Sequence, residues 1–153
     1  MDVAMINPIL VAFAEILPQI GFQKVEKKSV ALVGSTIDYD GILLNIAMIG
    51  SIKGVILIGM DLDSAKRFAS KMMMGMELAE FDKLAQSAIS EMGNMVCANA
   101  CTQYSKINVS GLDISPPTLM IGAKGQATLP VLQALTILFS VDDIPVKVYV
   151  GLV

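Results

Sequence analysis

Residues 41–60 (GILLNIAMIGSIKGVILIGM) form a run of twenty with a single charge, at Lys53. A stretch of that length and polarity either crosses a membrane as one helix or is buried inside a protein. Asn45, Gly50, Ser51, Lys53 and Gly54 interrupt it, and a lysine at the centre of a spanning helix costs about 2.5–3.5 kcal/mol. Two buried strands, Gly41–Ile49 and Ile52–Met60, joined by a tight turn at Gly50-Ser51, account for the same residues without that cost. The membrane is therefore set aside, and strands become the frame for the rest of the chain.

Such strands need a core to enter. Hydrophobic residues make up 54% of the 153 and charged residues 16%, so the chain has the material for one packed domain over 1–153 and not for a disordered one. The net charge is -3, and the longest basic cluster, Lys24 to Lys28, is broken by Glu26. That excludes a phosphate-backbone surface, and with it nucleic acid. There is no histidine, which removes the commonest general base and the commonest zinc ligand together. Two cysteines, Cys97 and Cys101, are too few for a metal site and read as small, reduced side chains, a redox pair being the alternative. The N-terminal MDVAMINPIL has no basic region followed by an apolar stretch, so a cytoplasmic location is expected.

Around the two central strands the pattern predicts further elements. Asn7-Pro8 starts a helix with Ile9, Leu10, Phe13, Ile16 and Leu17 on one face, stopped near Pro18 or Gly21. Val25–Val33 reads as a strand. Asp61 to Ser64 caps a short helix reaching about Met74, and a long helix runs from near Glu77 to Tyr104. The run Met72-Met73-Met74-Gly75-Met76 is expected in the core or at a subunit interface, with an adaptable binding surface as the alternative. Strand pieces follow at Ile107–Ile114 and Thr118–Ile121, then a loop over 122–130. A terminal hairpin, Val131–Val141 and Pro145–Val153, turns at Asp142-Asp143. Segregated helices and strands imply an α+β fold with an antiparallel or mixed β-sheet packed against the long helix and the shorter ones.

The long helix contains LAQSAISEMGNMVCANA. At 100° per residue, Ser87, Glu91 and Asn94 fall within an arc of roughly 60° and span about 10 Å of the axis. Leu78, Ala85, Ile89, Met92, Val96 and Ala100 fall on the opposite side. One face suits a core; the other presents a hydroxyl, a carboxylate and a carboxamide in a row. By itself that is what a solvated helix face looks like. Gly93 costs about 1 kcal/mol against alanine in a helix interior. Either tight helix–sheet packing or the approach of a partner's backbone would explain it.

Ser87, Glu91, Asn94 and Pro117 also stand at a spacing that resembles the motif of the CheC/CheX/FliY phosphatases. That motif is Asp or Ser, three residues, Glu, two residues, Asn, twenty-two residues, Pro, and every interval is met here. The opening INPIL helix, the strand-turn-strand about Gly50 and the short DSAKRFASKMM helix are similar to the family as well. No other Asn has Glu three residues before it, and a single motif resembles the CheX type rather than the two-motif CheC type. The resemblance implies hydrolysis of the aspartyl phosphate on a phosphorylated CheY-like response regulator. Asn94 would orient the attacking water and Glu91 would pair with the regulator's lysine. Ser87 would make a lesser contact, and Pro117 would shape the adjoining loop. Mg²⁺ would be bound by the regulator and not by this chain. The family also implies a homodimer in which sheets meet. A non-catalytic module of the flagellar switch, or one binding a CheD-like partner, is the other expectation.

Overall fold

A computed structural model describes residues 3–152. Met1, Asp2 and Val153 lie outside it, so the reading of the extreme N-terminus and the last residue of the expected terminal hairpin fall outside the described residues. After a 3-10 turn (Val3–Ile6) come α1 (Asn7–Gln19), β1 (Val25–Ile49), β2 (Gly54–Met60), α2 (Leu62–Met72), α3 (Lys83–Ser105), β3 (Asp113–Ile114), β4 (Thr118–Val141) and β5 (Ile144–Leu152). The fold is α+β, with every described strand pairing antiparallel.

Two aspartates fix where the later helices begin. The Ser64 N–H donates to Asp61 Oδ1 at 2.7 Å, and the Ala85 N–H donates to Asp82 Oδ1 at 2.9 Å. Each satisfies a donor that the first helical turn leaves free. The second cap explains why α3 starts at Lys83 and not near Glu77. The preceding loop places Leu78 and Phe81 against the core instead of extending the helix. At α1 the cap position is Ile6, with no side-chain bond, so Asn7 is not the cap that the sequence suggests. Pro18 sits inside the last turn of α1 without breaking it.

The expected strands Val25–Val33 and Gly41–Ile49 are halves of one strand, and the expected loop 122–130 belongs to β4. Only Asp113–Ile114 of the expected 107–114 strand forms. β1 and β4 pair from Val25↔Val141 to Asn45↔Thr118, with register shifts between Lys27 and Ser29, Gly34 and Thr36, and Tyr39 and Gly41. Such bulges bend a strand and raise its twist. Here they let the two halves of the ribbon join different parts of the sheet. The second half of β1 pairs with β2, β2 with β5, and β5 with the second half of β4, closing a circuit through all four strands. The middle of the ribbon packs on the sheet face away from the helices. There Ile37 and Leu129 join Leu43, Val55, Leu57, Ala134 and Tyr149 in a small second core.

The other sheet face carries the main core. Ile9, Phe13 and Leu17 of α1, Phe68 of α2, and Ile89, Met92, Val96 and Ala100 of α3 meet Leu44, Ile46, Ile56, Ile58, Ile137, Phe139 and Val148. The Phe13 and Phe139 rings stack with centroids 5.0 Å apart. At Gly93 the backbone of α3 comes so close to β1 that a Cβ would run into Leu44 Cδ2 and lie 3.0 Å from Ile46 Cδ1. Gly93 is buried, so helix–sheet packing, not a partner's approach, accounts for it. The methionine run does not fill the core: Met72 packs partly against it, while Met74 is 97% exposed.

Asp142, at the β4–β5 turn, ties three elements together. It accepts from Lys24 N–H at 2.7 Å, from Gln23 N–H at 3.1 Å and from Lys71 Nζ at 2.7 Å, with its side chain 8% exposed. Asp142 and Asp143 both take left-handed backbone angles (φ 48 and 65), as a two-residue hairpin turn requires. The Lys71 ammonium, helped by the backbone donors, holds the Asp142 carboxyl below its ordinary value of 3.8. A carboxylate depressed in this way stabilises the fold at pH above its unfolded value, and that stability is lost as pH falls through the folded one.

Asp142→Asn keeps a residue that tolerates the backbone but removes the charge, and should cost about 1–2 kcal/mol at pH 7. The gap to the wild type in urea midpoints should close below about pH 3.8; a gap independent of pH contradicts the ion-pair account. Gly93→Ala improves helix propensity by about 1 kcal/mol yet should lower stability by about 1–2 kcal/mol net, because overpacking outweighs propensity. A higher urea midpoint for that variant would show that the helix does not sit tightly on β1.

Candidate functional site

α3 presents two faces. Ala85, Ile89, Met92, Val96 and Ala100 are buried, as their spacing predicts. Leu78, expected among them, lies in the preceding loop and packs against the core from there. Opposite, Ser87 and Glu91 are exposed and Asn94 is half-buried. The carboxamide is thus more enclosed than a fully solvated face would make it. It follows Gly93 in the chain, and Gly93 brings this turn of the helix down onto β1. Enclosure restricts the side chain's rotamers while leaving a polar edge open to a partner.

Among the described residues, the side chains of Ser87, Glu91 and Asn94 make no hydrogen bond or ion pair. From Leu84 to Ser105 the only charged residue is Glu91. A solvated helix face would normally intersperse charges of both signs. This one offers unspent polar groups, with Lys83 in the first turn as its one other charge. Leu84 adds an apolar member to the same face, 59% exposed and three residues before Ser87. The sequence reading passed over it, although extending the Ser87–Glu91–Asn94 spacing by one step toward the N-terminus would have reached it.

Pro117 is half-buried at the entry to β4. Two residues earlier, Ser115 is fastened to β1 twice: its N–H donates to the Ala47 carbonyl at 2.9 Å, and its Oγ accepts from Ala47 N–H at 2.9 Å. The residue after Pro117, Thr118, pairs with Asn45. Residues 44–47 of β1 therefore hold both parts of the motif, with Gly93 resting on Leu44 and Ile46 and the 115–118 segment bonded to Asn45 and Ala47.

The two cysteines of α3 are not reactive groups. Burial pushes the Cys97 thiol up to about 12, and burial with the nearby Asp113 carboxylate raises that of Cys101. Both are free, and at neutral pH they remain thiols. Among the described residues, no helix is long and apolar enough to cross a membrane, and the apolar run 41–60 is strand, turn and strand.

Known proteins agree with this architecture. The model of a family described as chemotaxis phosphatase CheX matches residues 42–140, more than half of the chain and including the whole motif. The CheY-P phosphatase CheX of Thermotoga maritima is 35% identical over 77 residues, covering 50% of this chain and 49% of that protein. The match thus spans about half the length of that relative. A CheC-like superfamily protein from Shewanella sp. PV-4 superposes with a TM-score of 0.86 at 19% identity, over 100% of this chain and 99% of its own. A structure of the CheX-CheY-BeF3-Mg²⁺ complex from Borrelia burgdorferi superposes with a TM-score of 0.78 at 24% identity, covering 99% of each chain. Family model, fold and motif spacing converge, and the chain belongs to the CheX family.

Proposed function

We propose that this protein is a phosphatase that hydrolyses the aspartyl phosphate of a phosphorylated CheY-like response regulator, as the name of its Thermotoga relative states for that protein. The observation that carries the reading is the outer face of α3, where Ser87, Glu91 and Asn94 hold polar groups spent on nothing within the described residues. Phosphoryl transfer asks mainly for positioning and charge stabilisation. The regulator supplies its own Mg²⁺ and lysine beside the acyl phosphate, so the missing part is a water held in line.

Asn94 fills that need. Its carboxamide oxygen accepts a hydrogen bond from the water and so aims the water's oxygen lone pair at phosphorus. The water oxygen bonds to phosphorus as the bond to the aspartate oxygen breaks. Aspartate leaves as a carboxylate, and the water's proton departs with inorganic phosphate. Glu91 pairs with the regulator's lysine and sets the angle of approach. Ser87 contacts the rim, and Pro117 shapes the loop beside the helix. A chain with no histidine loses nothing here, because no general base is required. The reaction places the protein in the cytoplasm, where response regulators work.

Asn94→Ala should lower the rate of dephosphorylation by at least about a hundredfold, since a misplaced water forfeits that much. Decay of the phosphorylated regulator in Mg²⁺, with unchanged circular dichroism of the variant, measures it. Near-normal turnover would remove Asn94 from the mechanism. Binding of the regulator or of switch proteins with no turnover by the wild type would favour the non-catalytic module.

A homodimer accompanies this reading, formed through the β1–β4 ribbon, where Leu32 is 62% exposed and Leu132 is 93% exposed. Leucines this open on a strand ribbon find cover most readily on a second sheet. Light scattering should give twice the chain mass at micromolar concentration, and Leu32→Asp with Leu132→Asp should give the monomer. A monomeric wild type would rule the dimer out.

A further inference from the structure

The motif residues occupy only part of the outer face of α3. Leu84, Ser87, Glu91, Asn94 and Ala98 succeed one another at alternating intervals of three and four residues, which keeps them in one line along the helix. Leu84 is the large apolar member of that line, 59% exposed at the second position of the helix after the Asp82 cap. A lone exposed leucine is ordinary on a protein surface. This one stands beside Lys83 on the face that bears the motif, and Glu91 is the only other charge of the helix. Its place relative to Asn94 is also fixed by helix geometry. It lies seven residues before Glu91 and ten before Asn94, about 10 Å and about 15 Å along the axis.

A partner of standard interface size covers about 800 Å², a patch of about 16 Å radius. A receiver domain that puts its phosphorylated aspartate over Asn94 and its lysine over Glu91 therefore also reaches Leu84. We propose that Leu84 is an apolar anchor for the phosphorylated receiver domain, holding the regulator by burial while Glu91 and Asn94 engage its active site. This rests on the phosphatase reading above and adds to it the residue that sets affinity. The face carries two charges, Lys83 beside Leu84 and Glu91 farther along, and burial of Leu84 adds an apolar contribution to binding that neither of them supplies. Apolar contact at this end of the helix also selects regulators whose surface beside the phosphorylation site is apolar.

The test uses the full chain and a CheY-like regulator from the same cell. Binding is measured by calorimetry with the regulator held active by beryllofluoride and Mg²⁺, and turnover by decay of the phosphorylated form. Leu84→Ala should raise both Kd and KM about fivefold to tenfold and leave kcat within about twofold. Leu84→Asp should do more. A carboxylate in the first helical turn favours the helix, so that loss cannot be assigned to unfolding. Ile107→Ala, 50% exposed just past the opposite end of α3, serves as a control and should change neither constant. If the wild type is active and both Leu84 variants bind and turn over normally, the anchor is overturned and the phosphatase reading stands. If kcat falls while Kd is unchanged, Leu84 acts otherwise and the proposal fails. If the wild type neither binds nor dephosphorylates any regulator, the phosphatase reading fails and Leu84 goes with it. If it binds in a Leu84-dependent manner without turnover, the anchor survives and the catalytic reading does not.

Discussion

The contact of Gly93 with Leu44 and Ile46 determines how the functional face is presented. A glycine in a helix interior is a standing cost of about 1 kcal/mol, offset here by the close seating of α3 on β1. Close seating fixes the rotation of the helix about its axis, because Ile89, Met92, Val96 and Ala100 are all fully buried around that point. With those residues down, Glu91 must point outward, and Asn94 must lie on the flank, half sunk beside the sheet. A Cβ at Gly93 would force the side-chain ends of Leu44 and Ile46 to shift and disturb the seating of the turn that carries Asn94.

The sheet beneath is built to resist such movement. β1 contributes to it twice, with its first half along β4 and its second between β4 and β2, and the pairing of β2 with β5 closes the circuit. Moving residues 44–47 would require breaking ladders on both sides of that strand. The ribbon adds a second small core on the far face, so the site-bearing strand is packed above and below. Asp142 fastens the chain between α1 and β1 to the β4–β5 turn and to the end of α2. Each device is ordinary; together they hold one short stretch of backbone to which both the helix and the Pro117 segment are attached.

How much of this was legible depended on range. The two faces of α3 and the caps at Asp61 and the Asp142-Asp143 turn are local signals, and the sequence carries them plainly. The ribbon is not local. Residues 35–41 (STIDYDG) and 122–130 (GAKGQATLP) are polar and rich in glycine, with a proline, which alone reads as loop. They are strands because each supplies the other's hydrogen bonds across about ninety residues of sequence. The α3 start was misplaced because Asp82 outcompeted the helix-compatible residues before it. The depth of Asn94 was invisible for a similar reason: it depends on how near the helix lies to the sheet, which only the pairing of Gly93 with Leu44 and Ile46 decides. The methionine run was expected in the core or at a subunit interface: Met72 packs against the core, while Met74 and Met76 are exposed.

If the proposed phosphatase reading holds, the chain contributes few chemical groups, and that places the demand on geometry. In that reading the nucleophile is water, the metal and the lysine come with the regulator, and this chain contributes one amide and one carboxylate. Positioning is worth several kcal/mol only if the positioned group loses little freedom at the moment of reaction. An exposed asparagine on a loosely packed helix would lose much of it. Half-burial of Asn94, obtained through a glycine next to it and a strand held from both sides, lowers that loss before the regulator arrives. The same reasoning explains why the neighbouring surface is small and uncharged. Charges around Asn94 would have to be desolvated as the partner docks, a cost set against every favourable contact. Serine and alanine beside Asn94 avoid most of it, and on the proposed reading the one charge next to Asn94, Glu91, would be offset by the regulator's lysine.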